Sequence, residues 1–304
     1  MLRISPVIYL AVAITIPLSA AADTPPTAGV NLSADQIVSK NVSARGGLQA
    51  WRAVESLSFM GKLGAGGNQR STLSVPAPVP SGPVTSRKGV QPLAPPRPVN
   101  EYELPFVMNL ERSRKMRLEL KFNGQTAIQV YDGAAGWKVR PFLNRQVVEP
   151  YTPEELKSAS MQADLDGPLV DYAKKGTQIK LDGMEKVEGR DTYKLELLLK
   201  TGETVHDWID AETFLEVKMD GQPRRLDGTY HPVEIYYRDY GLVDGLQIPH
   251  VLETKVLPVS KTATGLRDTP VPVEKIIIEK VVVNPKLDKS LFEKPEIAVA
   301  GKVK

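Results

Sequence analysis

No cysteine occurs anywhere in the chain. A disulfide framework is therefore excluded, and a packed core has to supply the stability alone. A bacterial lipoprotein carries its acyl groups on a cysteine at the mature N-terminus, so this chain is not expected to be one. Histidine is almost as scarce, at 3 residues: His206, His231 and His250. None sits in an HExxH, CxxC or GxSxG arrangement, and no glycine-rich stretch leads into a helix as a phosphate cradle would. His206 and Asp207 are adjacent in a predicted strand, where neighbours point to opposite faces, which makes them poor partners for a metal. His231 precedes Pro232 and reads as a surface residue in a turn. Asp207, Asp210 and Glu212 fall near a hairpin, where turn chemistry accounts for acidic residues. These absences leave no catalytic residue, metal site or cofactor to nominate. The net charge of +3 is small for 304 residues and gives no argument for nucleic acid.

Long apolar runs are missing too, beyond the first residues. Met1-Leu2-Arg3 is followed by an apolar stretch, Ile4 to Leu18, and then Ser19-Ala20-Ala21-Ala22. A basic start, a short apolar core and small residues at the end read as a secretory signal peptide over 1–22. The stretch contains Pro6 and Pro17 and falls short of the roughly 20 residues a spanning helix needs. The expectation is an exported protein, periplasmic if bacterial, with no stable membrane span. Residues 23–32 read as a flexible mature N-terminus and 297–304 as a tail.

What the sequence does contain is alternation. In Lys115–Phe122, Met116, Leu118, Leu120 and Phe122 take one face while Lys115, Arg117, Glu119 and Lys121 take the other, the mark of a half-buried antiparallel strand. Asn123-Gly124 is a two-residue hairpin turn, and Gln125–Tyr131 returns with Ile128 and Val130 read as inward. Further strands follow over Gly136–Pro141, Ile179–Asp182, Tyr193–Leu199, Glu203–Asp210, Thr213–Asp220, Val233–Tyr240, Gln247–Leu257 and Val273–Asn284, after a first one at Ser56–Lys62. Short turns join most of them, which predicts a meander that curls into a barrel or half-barrel. Helix signals are few. Ser33 with Gln36 forms a weak capping box and Gly46-Gly47 a stop, with a short helical piece at Leu48–Val54 carrying Trp51. Thr152-Pro153-Glu154-Glu155 starts a helix over 153–159, and a second is expected from Met161 or Asp164 to Lys174. Of 25 prolines, a dense group lies between Pro76 and Pro105, so about 64–100 reads as an inserted loop. A second loop is expected over 259–272. The remainder, 33–296, reads as a single β domain.

Several phrases in the chain resemble the LolA-like family of periplasmic carriers and outer-membrane lipoprotein-sorting proteins. They are Ala34-Asp35-Gln36-Ile37-Val38 leading to Gly46-Gly47 and Trp51; Val187-Glu188-Gly189-Arg190-Asp191-Thr192-Tyr193-Lys194-Leu195; Trp208-Ile209-Asp210-Ala211-Glu212-Thr213; Tyr240-Gly241-Leu242-Val243-Asp244-Gly245-Leu246-Gln247-Ile248-Pro249; and Asp288-Lys289-Ser290-Leu291-Phe292-Glu293. The resemblance implies a half-barrel of about eleven antiparallel strands whose concave face is apolar, accepts acyl chains and is covered by a helical lid. It also implies a basic residue that holds the lid near the mouth, for which Arg112 and Arg117 are candidates. Lining residues expected on this basis are Leu118, Leu120, Ile128, Val130, Trp137, Val139, Leu195, Leu197, Ile209, Val217, Ile235, Tyr237, Ile248 and Ile276. The lid would contribute Ile37, Leu165, Leu169 and Tyr172. Tyr230, Tyr236, Tyr237 and Tyr240 gather in and near one strand, where they could line a head-group site or simply build the strand. The expected partners are lipid or lipoprotein acyl chains, with an envelope protein as a further one. An envelope-stress sensor or protein-binding module on the same fold is the alternative, and an extracytoplasmic enzyme a more distant one.

Overall fold

The structure is a computed structural model that describes residues 32–66, 101–141, 145–226, 229–259 and 271–296. The stretch read as a signal peptide, nearly all of 23–32, the proline-rich stretch 67–100, most of the second expected loop and the expected tail lie outside these residues.

Thirteen antiparallel strands form one open sheet. They are β1 Ser56–Gly66, β2 Glu101–Glu111, β3 Lys115–Phe122, β4 Gln125–Tyr131, β5 Gly136–Arg140, β6 Arg145–Pro150, β7 Gln178–Val187, β8 Arg190–Leu198, β9 Thr204–Asp210, β10 Glu216–Leu226, β11 Thr229–Val243, β12 Leu246–Val256 and β13 Glu274–Val283. The spatial order is 6-5-4-3-2-1-13-12-11-10-9-8-7. Two meanders, β1–β6 and β7–β13, are thus joined through β1 and β13, and the edges are β6 and β7. The single meander expected from the sequence is in fact split, because the chain leaves the sheet after β6 and re-enters at the far edge.

Two strands had escaped the sequence reading. β2 alternates Tyr102, Leu104, Phe106, Met108 and Leu110, but Pro105 interrupts the pattern. Its position explains why it is tolerated: β2 pairs with β3 only from Phe106 onward, so at Pro105 the strand has β1 alone as a neighbour. β6 is short and lies at an edge. β1 also runs to Gly66, past the start expected for the loop.

Tight turns set the registers. Asn123 and Gly124 both have positive φ (48° and 73°), as do Glu188-Gly189 (50° and 85°) and Asp244-Gly245 (47° and 84°). That is the backbone of type I′ turns, whose twist suits a hairpin.

Among the described residues three helices accompany the sheet: α1 Ala34–Ala44, α2 Leu48–Arg52 and α3 Pro153–Gln162, with a 3-10 turn at Lys289–Phe292. α1 and α3 begin with complete capping boxes, Ser33 with Gln36 and Thr152 with Glu155. The helix expected up to Lys174 does not form. After Ala163 the chain makes successive turns, with Gly167, Asp171 and Gly176 at positive φ, a backbone that a right-handed helix cannot contain. Leu169 and Val170 are nevertheless fully buried; the apolar spacing recorded burial, not helix.

α3 shows how far the sheet curls. Its Glu155 receives hydrogen bonds from Lys138 of β5, and its Met161 sulfur lies 3.1 Å from the Gln222 amide of β10. Those strands are eight steps apart in the sheet, roughly 38 Å if it were flat. Glu155 to Met161 spans only about 9 Å of helix. The sheet therefore folds round α3 as a half-barrel, and α3 crosses its concavity.

The β1–β13 junction carries a bulge between Met60 and Gly61. A Cβ on Gly61 would overlap the carbonyl oxygen of Ile277. Gly61→Ala is expected to lower stability by at least about 2 kcal/mol, an overpacking cost at the seam between the meanders. Gly124→Ala, in an open turn with only positive φ against it, should cost about 1 kcal/mol. Urea denaturation of the two variants checks the difference, and equal midpoints would count against a tight seam.

Candidate functional site on the concave face

Residues directly opposite one another in an antiparallel ladder share a face, so register assigns the lining. Leu57, Phe59, Gly61 and Leu63 of β1 stand opposite Leu110, Met108, Phe106 and Leu104 of β2. The last of these strands continues through Met116, Leu118 and Leu120 of β3 to Tyr131, Gln129 and Ala127 of β4. In the other direction Leu63 leads to Ile276, Leu252 and Tyr237, and neighbouring Thr254 to Ile235, Met219, Asp207 and Leu195. This is the face that the helices cover: Gln129 and Lys138 meet Glu155 and Ala159 of α3 round a hollow of about 120 Å³.

The expected lining splits accordingly. Leu118, Leu120, Leu195, Leu197, Ile209, Ile235, Tyr237 and Ile276 lie on the concave face. Ile128, Val130, Trp137 and Val139 lie on the opposite face, with Arg117 and Glu119. The hairpin at 123–124 forces Phe122 against Gln125 and hence Leu118 against Gln129, so Ile128 and Val130 turn outward. They are apolar because the C-terminal segment covers that side: Phe292 is buried, Arg117 Nη1 bonds the Leu291 carbonyl at 3.0 Å, and Ile128 and Val139 line a hollow of about 260 Å³ with Pro295. Val217 packs with Val187, Trp208 and Tyr236 in a separate cluster, on the side where Lys218 pairs with Trp208 and Tyr236. Ile248 is buried in the β11–β12 hairpin, next to the Gln247 amide that donates to the Arg45 carbonyl.

Within the concave set two environments alternate. Leu195, Leu197 and Ile209 are fully buried and form core beneath the lid. Leu63, Leu104, Met108, Leu118, Leu120, Met219, Ile235, Leu252 and Ile276 are half-buried, although all are apolar. Together they make a continuous band across β3, β2, β1, β13, β12, β11 and β10.

The lid is a layer fastened by ions. Ile37, Leu165 and Leu169 are buried in it, and Tyr172 donates to Asp35 at 2.6 Å, tying the 163–176 turns to α1. Arg52 forms two bonds with Asp171, 2.8 and 2.6 Å, and holds that carboxyl well below its usual range. Arg112, at the end of β2, donates to the backbone carbonyls of Val54 and Trp51 and to the Asp166 carboxylate at 2.7 Å. Of the two basic candidates it is the one that touches the lid; Arg117 faces away. Lys175 bonds Asp164 (2.8 Å) and Asp166 (2.5 Å). Burial alone would raise Asp166, but the bonds from Lys175 and Arg112 outweigh it and hold the carboxyl below its usual value. Asp164 is pushed up by burial and by the neighbouring Asp166 charge despite Lys175.

Sequence reasoning missed the polar cluster beneath α1. Arg45 caps α1, bonds the Asp166 carbonyl (3.1 Å) and the Glu216 carboxylate (3.3 Å), and stacks over the Trp51 ring at 4.5 Å. Tyr240 donates to the Glu216 carbonyl and carboxylate, at 3.1 and 3.2 Å. Asp207 projects into the same layer with 1% of its surface exposed. Burial, reinforced by Glu216, raises its carboxyl well above the usual value. Turn chemistry does explain Asp210, which accepts from the amides of Glu212 and Thr213, but not Asp207. His231 is likewise not a surface residue: it is fully buried, with Nδ1 3.1 Å from the Leu257 carbonyl. His206 lies on the opposite face beside Asp220, at 2.8 Å. The four tyrosines do not converge. Tyr237 lies on the concave face, Tyr236 on the other under Lys255, Tyr240 below the lid, and Tyr230 is 63% exposed. Among the described residues no group of acidic or histidine side chains is arranged to hold a metal, and no helix is long and apolar enough to cross a membrane.

Two predictions follow from these contacts. Arg112→Ala removes charge-assisted bonds worth about 1.5–3 kcal/mol, so amide hydrogen exchange in 48–54 and 163–176 should quicken roughly 10- to 100-fold, with β8 and β9 unaffected. Asp207 has a raised folded pKa, so its contribution to stability falls as pH rises from the ordinary carboxylate range toward the folded value. Asp207→Asn should therefore be more stable than the wild type at pH 7, with the gain vanishing below about pH 4; thermal melts across that range check it, and a constant difference would show that Asp207 is ionised in the fold.

No protein-family model matches the sequence, and no curated protein matches it. Solved structures do. A LolA superfamily protein from Nitrosomonas europaea superposes with a TM-score of 0.51 at 12% identity, over 86% of this chain and 98% of that one. A DUF1329 family protein from Desulfovibrio piger gives 0.48 at 13% identity, over 86% and 97%. A putative outer membrane lipoprotein-sorting protein domain from Vibrio parahaemolyticus gives 0.47 at 10%, over 86% and 96%. At such identity the likeness concerns architecture. Thirteen antiparallel strands in one open, curled sheet with helices across its concavity are the LolA-like fold.

Proposed function

We propose that this protein binds an acyl chain, of a lipid or a lipoprotein, along the apolar band of its concave face and carries it within the cell envelope. The observation that supports this reading is the band itself. Large apolar side chains on a covered face normally finish as closed core, yet here nine neighbours in register keep part of their surface accessible beside a lid. The binding mode differs from an enclosed cavity. The hollow under α3 is about 120 Å³, and pockets that engulf a drug-sized ligand run to roughly 300–1,000 Å³. A chain would lie in the open trough and be covered when the lid moves.

The energetics suit a carrier. Burying acyl methylenes is worth about 0.8 kcal/mol each, so sixteen carbons give on the order of 10 kcal/mol before ordering costs. That is enough for retention in water, and no bond is made or broken. The N-terminal signal pattern fits export to the periplasm, where such a cargo would cross an aqueous space between membranes.

Leu252→Glu or Ile235→Glu places a charge in the band without touching the closed core. Either should weaken binding of a fluorescent fatty acid about tenfold or more, while Ile128→Glu, on the opposite face, leaves it unchanged. Native mass spectrometry of the exported protein, with organic extraction, identifies what co-purifies. A protein with no lipid and no uptake on titration would instead point to a protein-binding module on this fold.

A further inference from the structure

The apolar band ends against polar groups. Met219, at its margin, is paired across β9–β10 with Asp207, whose carboxyl feels the charges of Glu216 and of Arg45, the residue that ends α1; Asn41 lies one helical turn earlier on that helix. All three side chains are at least nine-tenths buried, with Asn41 fully so. Each retains a polar atom with no partner: Asp207 Oδ1, Asn41 Oδ1 and Arg45 Nε. Asn41 Nδ2 donates to the Phe214 carbonyl at 2.9 Å, and Arg45 Nη1 to Asp166 and Glu216. Buried polar atoms are rarely left unpaired, because each costs about 1–3 kcal/mol. Two acceptors and one donor left over in a single layer match a group that both donates and accepts.

The charge balance narrows the choice. Arg45 is the cation of this layer and is already bonded to the Glu216 carboxylate. Burial and the neighbouring Glu216 both disfavour a charge on Asp207. A carboxylate or phosphate brought in here would face Glu216 with no cation to spare, and would pay the cost of burying a charge unpaired. An uncharged hydroxyl or amide meets no such penalty.

We propose that Asn41, Arg45 and Asp207 form a polar subsite at the lid end of the band, which takes the uncharged, hydrogen-bonding head of an acyl ligand in preference to an anionic one. The proposal rests on the acyl-binding reading above. α1 closes over the three residues, so the head group reaches them as α1 moves outward, and its bonds to both α1 and the sheet then hold the lid down on a loaded trough.

The test is competition against a fluorescent acyl probe on the full chain, below micellar concentrations, with monopalmitoylglycerol and with palmitate. Monopalmitoylglycerol should displace the probe at least about tenfold more effectively, the discrimination that paired against unpaired buried polar groups supplies. Asp207→Asn, which keeps a hydrogen-bonding head partner of the same shape, should preserve the preference. Asp207→Leu should bring the ratio near one, and Asn41→Leu serves the same purpose if that variant does not fold. Equal displacement by the two ligands in the wild type, or a preference unchanged in Asp207→Leu, would overturn the subsite alone. Failure of both ligands and of the probe to bind would overturn the acyl-binding reading and the subsite with it.

Discussion

Everything on the concave face depends on one strand pairing, that of β1 with β13. These strands lie more than two hundred residues apart in sequence, and their ladder runs from Leu57 against Val283 to Leu63 against Ile276. Without it the chain is two separate meanders, each a hairpin stack with one wet face and no shared concavity. Such a long-range closure carries the loop-closure entropy of most of the chain and forms late for that reason. The junction is also where curvature enters. The bulge at Met60 and Gly61 adds twist locally, and Gly61 lets the Ile277 backbone approach closer than any side chain would allow. The apolar band crosses the sheet at this seam, so the lining is built from both halves of the chain.

The lid obeys a different logic. Its apolar residues would hold it in place permanently if they alone decided the matter. Instead it is attached by ion pairs of graded burial: Arg52 with Asp171 near solvent, Arg112 with Asp166 part-buried, and Arg45 with Glu216 deepest. Exposed pairs contribute little and are readily exchanged for water, whereas a buried pair is costly to break singly. The outer edge of the lid can therefore loosen before α1 does. The carrier role proposed above would need this asymmetry, since a lid uniformly tight would never admit cargo and one uniformly loose would not retain it.

The sequence made the sheet legible and its faces only partly so. Alternation in Lys115–Phe122 and the Asn123-Gly124 turn were enough to place β3 and β4, and the same turn contained the register that puts Ile128 and Val130 outside. They were assigned inward because an apolar residue was equated with the inner face, whereas the C-terminal segment with Phe292 supplies a second apolar cover that no local pattern announces. Pro105 hid β2 because its tolerance depends on a β2–β3 ladder that ends one residue short of it, at Phe106. The turns at 164–176 imitated a helix because their burial follows a similar spacing. Asp207 could not be told from Asp210 by sequence, since one acid at a hairpin looks like another. Only the opposite register partner, Met219, shows that it faces the covered side.

The partly accessible band is the feature least well explained by folding alone. A domain that needed only stability would shorten Leu118, Leu120 or Leu252, or close the lid over them, because exposed apolar area beside a cleft invites association. The concave side is also where burial and Glu216 raise the Asp207 carboxyl, and where Asn41 and Arg45 keep polar atoms unpaired. Apolar exposure and polar burial are each unfavourable for an empty protein, and here they adjoin on one surface. A ligand with a long apolar tail and an uncharged polar head relieves both at once: its tail covers the band, and its head supplies the missing partners. The local rules that fail on this face are those that such a ligand would restore.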